Sequence, residues 1–164
     1  MGKLPINHTL DEKDRRILSE MQRNAGRPVA EIAAAVNLSQ NACWRRIRMM
    51  EESGVIRKQV VLVDPDRVGL GITVFVQVRT NDHSAEWLER FSRGVSRIDE
   101  VMEFHRLNGT YDYLLKIVVQ SIADYDRVYR KLIAAAPLHD VTSCFSMERI
   151  KETTELPVWP AAGP

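Results

Sequence analysis

Cysteine, aromatic side chains and net charge are all scarce in this chain of 164 residues. The two cysteines, Cys43 and Cys144, are far apart and lack a CxxC spacing, which favours small buried thiols in a reducing compartment. No run of 18 apolar residues occurs, and the first ten residues lack the apolar segment of an export signal. We therefore expect a cytoplasmic protein without a membrane span.

Motifs for catalysis and metal binding are missing as well. The histidines at positions 8, 83, 105 and 139 form no HxxH or HExxH pattern, so no metal site is expected. Gly69-Leu70-Gly71 precedes a predicted strand and lacks a third glycine, which argues against a dinucleotide site. We expect neither an enzyme nor a cofactor. A small enzyme or ligand-binding domain with an incidental helical module is the alternative, and it predicts no salt-dependent binding to duplex DNA.

The near-zero net charge of +1 conceals an asymmetry between the two parts of the chain. Residues 1–60 carry eleven Lys and Arg against seven Asp and Glu, whereas residues 61–164 carry twelve against fifteen. Such a difference is typical of a basic module joined to a different one, although random scatter would also produce it. The pattern of residues along the chain has to decide.

Three short helices are predicted in the basic part. Asp11 is a suitable N-cap for the first helix, Pro28 suits the start of the second, and Ser39 caps the third. Gly54 ends the third helix, and residues 55–63 are rich in β-branched side chains, which predicts a short strand followed by a linker strand. This arrangement is typical of a winged helix-turn-helix.

The third helix has the composition of a DNA recognition helix. Short polar residues on its first turn suit base edges, and the guanidinium groups that follow suit phosphates or guanine. Two basic residues of the next segment would add backbone contacts from a wing. The predicted DNA-binding residues are Ser39, Gln40, Asn41, Arg45, Arg46, Arg48, Arg57 and Lys58. The alternative is an ordinary solvated helix face. Trp44 either packs beside the first helix or lies near the DNA, and we expect it to be partly buried.

The acidic part has the pattern of a βαββαβ unit. Strands of β-branched residues alternate with two amphipathic helices, and a Ser121 cap with Asp124 at the third position begins the second helix. The predicted strands are 72–80, 101–107, 111–119 and 141–150, with a hairpin turn at 108–110. This order is that of the ferredoxin-like fold, so the fold class is α+β. Because helices cover only one face of such a sheet, a second copy of the chain is the simplest cover for the other, which predicts a homodimer.

The combined pattern resembles the Lrp/AsnC family of transcriptional regulators over roughly residues 10–155. The stretches LDEKDRRIL, LSQNACWRRIRMMEESGVI and GTYDYLLK carry the resemblance. The sequence is most similar to a cysteine-responsive branch of this family. That similarity lies in the stretches CWRRIRMME, VGLGITVFVQV, HSAEW and DVTSCFSMERIKETTELP. The resemblance implies a DNA-binding regulator that forms dimers, often octamers, with an amino-acid effector bound between its C-terminal (RAM) domains. L-cysteine is the first candidate for that effector.

The resemblance also implies where the effector binds. The corresponding residues here are Asn108, Gly109, Thr110, Tyr111 and Asp112, with Thr142 and Ser143 of the last strand. Thr110 replaces an acidic residue of some relatives, so an ammonium group would depend on Asp112 or on backbone carbonyls. Glycine permits a positive φ and free backbone N–H groups that could meet a carboxylate, so Gly109 fits this role. The alternative is that Gly109 only makes a tight hairpin and Asp112 only caps it.

The predicted domain organisation follows from these patterns. Residues 1–60 form the DNA-binding domain, 61–70 a linker strand, 71–155 the effector-binding and oligomerisation domain, and 156–164 a tail in which Trp159 could dock on a neighbour.

Overall fold

A computed structural model describes residues 9–158, which divide into two compact units. One unit contains residues 9–61 together with 151–158, and the other contains residues 62–150. Each unit has its own hydrophobic core. Trp159 lies outside the described residues. Within the described part of the chain, no helix is long and apolar enough to cross a membrane.

The first unit contains the three predicted helices, α1 (Glu12–Arg23), α2 (Val29–Ala35) and α3 (Gln40–Glu52). Asp11 and Asp14 form a reciprocal capping box at the start of α1, which satisfies two of the helix's free N–H groups. Gly54, with φ of +79°, follows the end of α3 in the left-handed conformation that glycine adopts at low cost. The inner faces of the helices share one core, which includes Ile17, Ile32, Val36, Cys43, Ile47 and Met50.

The turn between α2 and α3 is fixed by hydrogen bonds from α1. Lys13 Nζ donates to the Val36 carbonyl at 2.9 Å, and Arg16 Nη2 donates to the Ala35 carbonyl at 3.2 Å. These cations satisfy carbonyl groups at the C-terminal end of α2, where positive charge is favourable. Asn37, with φ of 54°, then reverses the chain, and Ser39 accepts a hydrogen bond from Ala42 N as the α3 cap. The turn therefore sets the direction in which α3 leaves.

The predicted strands at 55–63 are wrong, because the described residues of this segment form no strand. Ile56 packs against the first core and donates its backbone N–H to the Met50 carbonyl at 2.9 Å. Residues 57–63 are exposed, and they are rich in β-branched side chains but pair with no other strand of the described chain. A strand needs such a partner, since β propensity mainly measures how well a side chain packs on a sheet.

A short tail belongs to the first unit as well. The side chain of Gln22 on α1 donates to the Leu156 carbonyl at 3.0 Å and accepts from the Leu156 backbone N–H at 2.7 Å. Val158 packs against the same core as the three helices. Gln22 therefore holds the backbone of the tail at both polar groups of one residue.

The second unit has the predicted βαββαβ order and an antiparallel sheet. After a 3₁₀ turn at Asp66–Val68, its elements are β1 (Ile72–Arg79), α4 (Ala85–Val95), β2 (Val101–Arg106), β3 (Tyr113–Val119), α5 (Ile122–Ala135) and β4 (Asp140–Phe145). The strand order is β2-β3-β1-β4, so β2 and β4 form the edges. Together with the first unit, this confirms the α+β class.

The helices cover one face of this sheet. Alternate residues of β1 and β3, such as Val76 and Leu115, are fully buried beneath α4 and α5. Trp87, Phe91, Phe104 and Tyr113 form an aromatic cluster with ring centroids 4.9–5.8 Å apart. The two helices pack closely at one glycine, because a Cβ atom on Gly94 would lie only 2.6 Å from the Ala135 Cβ.

Two predicted element bounds are corrected by the structure. The last strand ends at Phe145 and does not continue to residue 150. Tyr111 and Asp112 precede β3, so residues 107–112 form a longer connection in place of the tight hairpin at 108–110. In addition, Cys144 is exposed on β4, contrary to the buried thiol that we expected, whereas Cys43 is buried. Cys144 pairs with Phe75, whose side chain lies on the sheet face opposite the buried valines.

Candidate functional site

The outer face of α3 is a continuous polar stripe. Cys43, Ile47 and Met50 face the core from α3. The stripe on the other side of the helix consists of five exposed residues, which are Gln40, Asn41, Trp44, Arg45 and Arg48. Ser39 lies at the N-terminal end of this stripe, and Arg57 and Lys58 are exposed beyond α3. The structure thus presents seven of the eight predicted DNA-binding residues on or near the surface of one small unit.

Arg46, the eighth, is held within the unit. Its Nη1 atom lies 2.7 Å from Asp11 Oδ2 and 2.7 Å from Asp14 Oδ1, and the Asp14 side chain is only 1% exposed. Hydrogen bonds from the Asp14 backbone and from Arg46 hold the pKa of Asp11 below its usual value. The same two carboxylates raise the pKa of Arg46. Arg46 therefore joins α3 to the capping box of α1.

Trp44 is more exposed than we expected. More than half of its surface, 54%, is accessible, and the guanidinium carbon of Arg48 lies 5.9 Å from the centre of its ring. Arg48 Nη1 also approaches Glu51 Oε2 at 3.2 Å. The aromatic ring and the carboxylate together restrict where this guanidinium group can point.

Asp112 lies at the end of the sheet and is fixed by the backbone of β1. One of its carboxylate oxygens, Oδ2, accepts a hydrogen bond from Thr80 N at 2.8 Å, while its own N–H donates to the Val78 carbonyl at 2.9 Å. The second oxygen, Oδ1, lies 3.9 Å from Nδ1 of His83. Asp112 is therefore both a cap for the strand end and a carboxylate with one oxygen directed toward an exposed imidazole.

The other residues of the predicted effector loop are at the surface. Asn108, Gly109 and Thr110 are exposed, and Tyr111 is half-buried. Gly109 does not adopt the positive φ that glycine permits, because the only glycines with positive φ in the described chain are Gly54 and Gly69. No atom lies within 4 Å of a Cβ placed on Gly109, so neither its backbone conformation nor a close contact requires glycine there.

Thr142 and Ser143 lie on opposite faces of the sheet. Ser143 pairs with the buried Val76 and hydrogen-bonds to the hydroxyl of Tyr125, whose pKa is raised by burial. Thr142 pairs with Gln77 on the face that the helices leave open. Only Thr142 thus lies on the open face of the sheet, and Ser143 contributes to the packing of α5.

Sequence reasoning missed two residues beside Asp112. Thr80 is buried and presents its backbone N–H to the carboxylate, while His83 faces the other oxygen. Both lie in the connection after β1, whereas the sequence placed Thr80 at the end of the predicted strand 72–80 and gave His83 no part in a site. Antiparallel pairing of β1 with β3 is the feature that could have identified them, since it places the end of β1 beside the start of β3 and hence beside Asp112. Within residues 9–158, no group of three or more His, Cys, Asp or Glu could hold a metal ion.

Comparisons with known proteins match both units. A family profile described as a winged helix-turn-helix DNA-binding domain matches residues 10–57, and one described as the Lrp/AsnC ligand binding domain matches residues 73–156. The chain belongs to the Lrp/AsnC family. It is therefore a transcriptional regulator with a DNA-binding unit and a ligand-binding unit.

Similar proteins of the Lrp/AsnC family cover nearly the whole chain. The glutamate uptake regulatory protein of Zymomonas mobilis is 50% identical over 91% of this chain and 91% of its own. A crystal structure of an AsnC family transcriptional regulator from Agrobacterium tumefaciens, 52% identical, has a TM-score of 0.87 over 90% of this chain and 97% of the other. The L-Met complex of the regulator NMB0573 from Neisseria meningitidis, 31% identical, has a TM-score of 0.86 over 91% and 97%.

Proposed function

We propose that a small amino acid controls the DNA binding of this regulator and that it binds at the sheet end around Asp112. The observation that carries the proposal is the geometry of this carboxylate. Its Oδ2 accepts a hydrogen bond from Thr80, while its Oδ1 lies 3.9 Å from Nδ1 of the exposed His83 side chain. A preoriented carboxylate oxygen beside an exposed loop suits an ammonium group. Asn108, Gly109, Thr110, Tyr111 and Thr142 complete the proposed site, and Ser143 supports it from the other face.

L-cysteine is the first ligand to test, because the sequence resembles the cysteine-responsive branch. L-methionine is the second, because the Neisseria relative is described as an L-Met complex. The proposed DNA contacts are those of the outer face of α3, with Ser39 at its start and Arg57 and Lys58 beyond it. Arg46 contributes by holding α3 on α1. The protein acts by binding, without a cofactor or a reaction of its own, and we place it in the cytoplasm, because its partner is DNA.

A second copy of the chain covers the open face of the sheet in this proposal. The face carries the side chain of Phe75, which is 38% exposed, together with exposed Cys144 and half-buried Leu114. Identical faces of this kind form a symmetric dimer, in which each copy covers the other. Such dimers can assemble further into octamers, and dimerisation brings two DNA-binding units to one duplex.

The proposed effector site is tested by calorimetry. Wild-type protein is titrated with L-cysteine under reducing conditions, L-methionine and L-glutamate, and compared with Asp112→Asn and with Asp126→Asn, a matched change of an exposed aspartate on α5. We expect one amino acid to bind wild type and Asp126→Asn alike, and Asp112→Asn to bind it at least about ten-fold more weakly. Equal affinity of Asp112→Asn, or no heat with any amino acid, would contradict the proposal.

The coupling to DNA is tested by reciprocity. An effector that changes DNA affinity by some factor must have its own affinity changed by the same factor, about 5- to 150-fold in typical cases. Duplex binding is measured by fluorescence anisotropy with and without the amino acid found by calorimetry. An effector that leaves DNA affinity unchanged would limit the ligand to a structural role.

A further inference from the structure

Trp44 occupies a position that the fold of the first unit does not explain. The core-facing side of α3 is formed by Cys43, Ile47 and Met50, which are at most 6% exposed, whereas Trp44 is 54% exposed on the other side. Leaving this much apolar surface in water costs free energy that a polar side chain would avoid. Single exposed apolar residues are ordinary in proteins, so exposure alone assigns no role to Trp44.

The neighbours of Trp44 distinguish it from an ordinary exposed residue. Positions four residues apart lie above one another on a helix, so Gln40, Trp44 and Arg48 form one row. Asn41, Arg45 and Met49 form the row beside it. All six are exposed. The tryptophan is therefore the one apolar side chain in the middle of the polar stripe, one turn from the helix N-terminus.

The Trp44 ring also orients a cation. Arg48 lies over the ring at 5.9 Å and is held from the next turn by Glu51 at 3.2 Å. A guanidinium group fixed in this way loses less freedom when it meets a phosphate or a guanine. One face of the Trp44 ring thus packs with Arg48, while 54% of the side chain's surface remains accessible to a partner.

The chemistry of the major groove supplies a partner for an apolar ring. Its base edges present donors and acceptors, and the apolar group among them is the C5-methyl of thymine. We infer that Trp44 is a specificity-determining residue that contacts a thymine methyl group in the major groove and holds Arg48 toward the same site. This inference rests on the proposed role of α3 as the reading helix, and it adds a base preference that the charged residues do not supply.

A methyl-deletion cycle tests the inference. A duplex is selected from a random pool with the wild-type protein, and each thymine in turn is replaced by deoxyuridine, which lacks the methyl group. Dissociation constants at one fixed salt concentration are measured for wild type, Trp44→Ala and Met49→Ala. Met49 is a control for the loss of an exposed apolar side chain from α3, because it is 44% exposed and lies one turn beyond Arg45, nearer the C-terminal end of the helix.

We expect one methyl deletion to weaken the wild type and Met49→Ala about four-fold, as for one buried methyl group, and to leave Trp44→Ala unchanged. Trp44→Ala itself should bind the unmodified duplex at least about ten-fold more weakly, with an unaltered urea unfolding curve. Equal sensitivity of wild type and Trp44→Ala at every thymine, or full affinity of Trp44→Ala, overturns the inference. If the wild type selects no duplex at low salt, the result contradicts the proposed role of α3 as the DNA recognition helix.

Discussion

Arg45 and Arg46 are adjacent in the sequence, yet their surroundings differ completely. Arg45 is exposed on the polar stripe and forms no hydrogen bond or ion pair within residues 9–158. Arg46 forms ion pairs with Asp11 and with the buried Asp14. An arginine that neutralises a buried carboxylate is part of the fold, because its removal leaves a charge without its partner. Substitutions of the two arginines therefore allow an effect on stability to be measured separately from the proposed effect on DNA affinity.

We predict opposite effects for the two alanine substitutions. Arg46→Ala should lower the free energy of unfolding by about 2–3 kcal/mol, since it removes charge-assisted hydrogen bonds to a buried group. Arg45→Ala should change stability by less than about 0.5 kcal/mol, as at other exposed sites, and should weaken duplex binding. Urea unfolding and fluorescence anisotropy on the same samples measure both quantities. Unchanged stability of Arg46→Ala would show that its carboxylate contacts do not support the fold.

At the scale of elements, α4 and α5 depend on one glycine. Gly94 faces Ala135 so closely that a Cβ atom would stand 2.6 Å from the Ala135 Cβ, whereas the space around Gly109 is open. A methyl group at the first site must push the helices apart, and at the second it meets solvent. Close helix packing therefore requires glycine at position 94, whereas no steric contact requires it at position 109.

We predict that Gly94→Ala lowers the free energy of unfolding by about 1–3 kcal/mol through overpacking. Gly109→Ala should fold as stably as the wild type, because no steric contact and no positive φ opposes it. Thermal unfolding of both variants compares them directly. A stable Gly94→Ala would mean that α5 can move away from α4 at little cost.

The elements that sequence reasoning predicted correctly are those with local causes. The Asp11, Ser39 and Ser121 caps and the spacing of apolar residues identify their helices without knowledge of the rest of the chain. Residues 55–63 show the limit, since their β-branched composition cannot report whether a partner strand exists. Such composition indicates a tendency that long-range pairing then confirms or overrides.

The site residues show the same limit more strongly. Arg46 meets carboxylates 32 and 35 positions away, and Asp112 meets the Thr80 amide 32 positions away. The basic and acidic residue types were evident in the sequence, but which of them neutralise one another depends on tertiary contacts. The sequence therefore predicted that residues of α3 and of the loop around Asp112 are functional. It could not predict that Arg46 of the first group and Ser143 of the second form contacts within their own unit.

At the scale of the whole molecule, the open face of the sheet is the surface on which the proposed dimer depends. The burial of β1 and β3 alternates, and the side opposite α4 and α5 keeps Phe75 partly exposed next to exposed Cys144. A sheet with a solvated face normally carries polar residues there. An aromatic residue on a central strand is therefore a sensitive point for testing whether this face is covered.

We predict that Phe75→Glu converts the protein to a monomer, because each interface would gain two buried carboxylates that lack partners. Ile122→Glu, a change of the same kind at a residue that is 70% exposed on the first turn of α5, should leave the assembly intact. Sedimentation equilibrium gives the mass of each variant. A dimer that survives in Phe75→Glu would place the contact between copies on another surface.

The tail held by Gln22 has a consequence for the order in which the molecule is made. Residues 9–61 are synthesised first, but residues 151–158 of the same unit are synthesised only after the entire second unit, residues 62–150. A polypeptide whose synthesis has reached only the second unit thus contains the three helices of the first unit but not yet Leu156 and Val158. A nascent chain therefore contains α3 long before it contains the last segment of the unit to which α3 belongs.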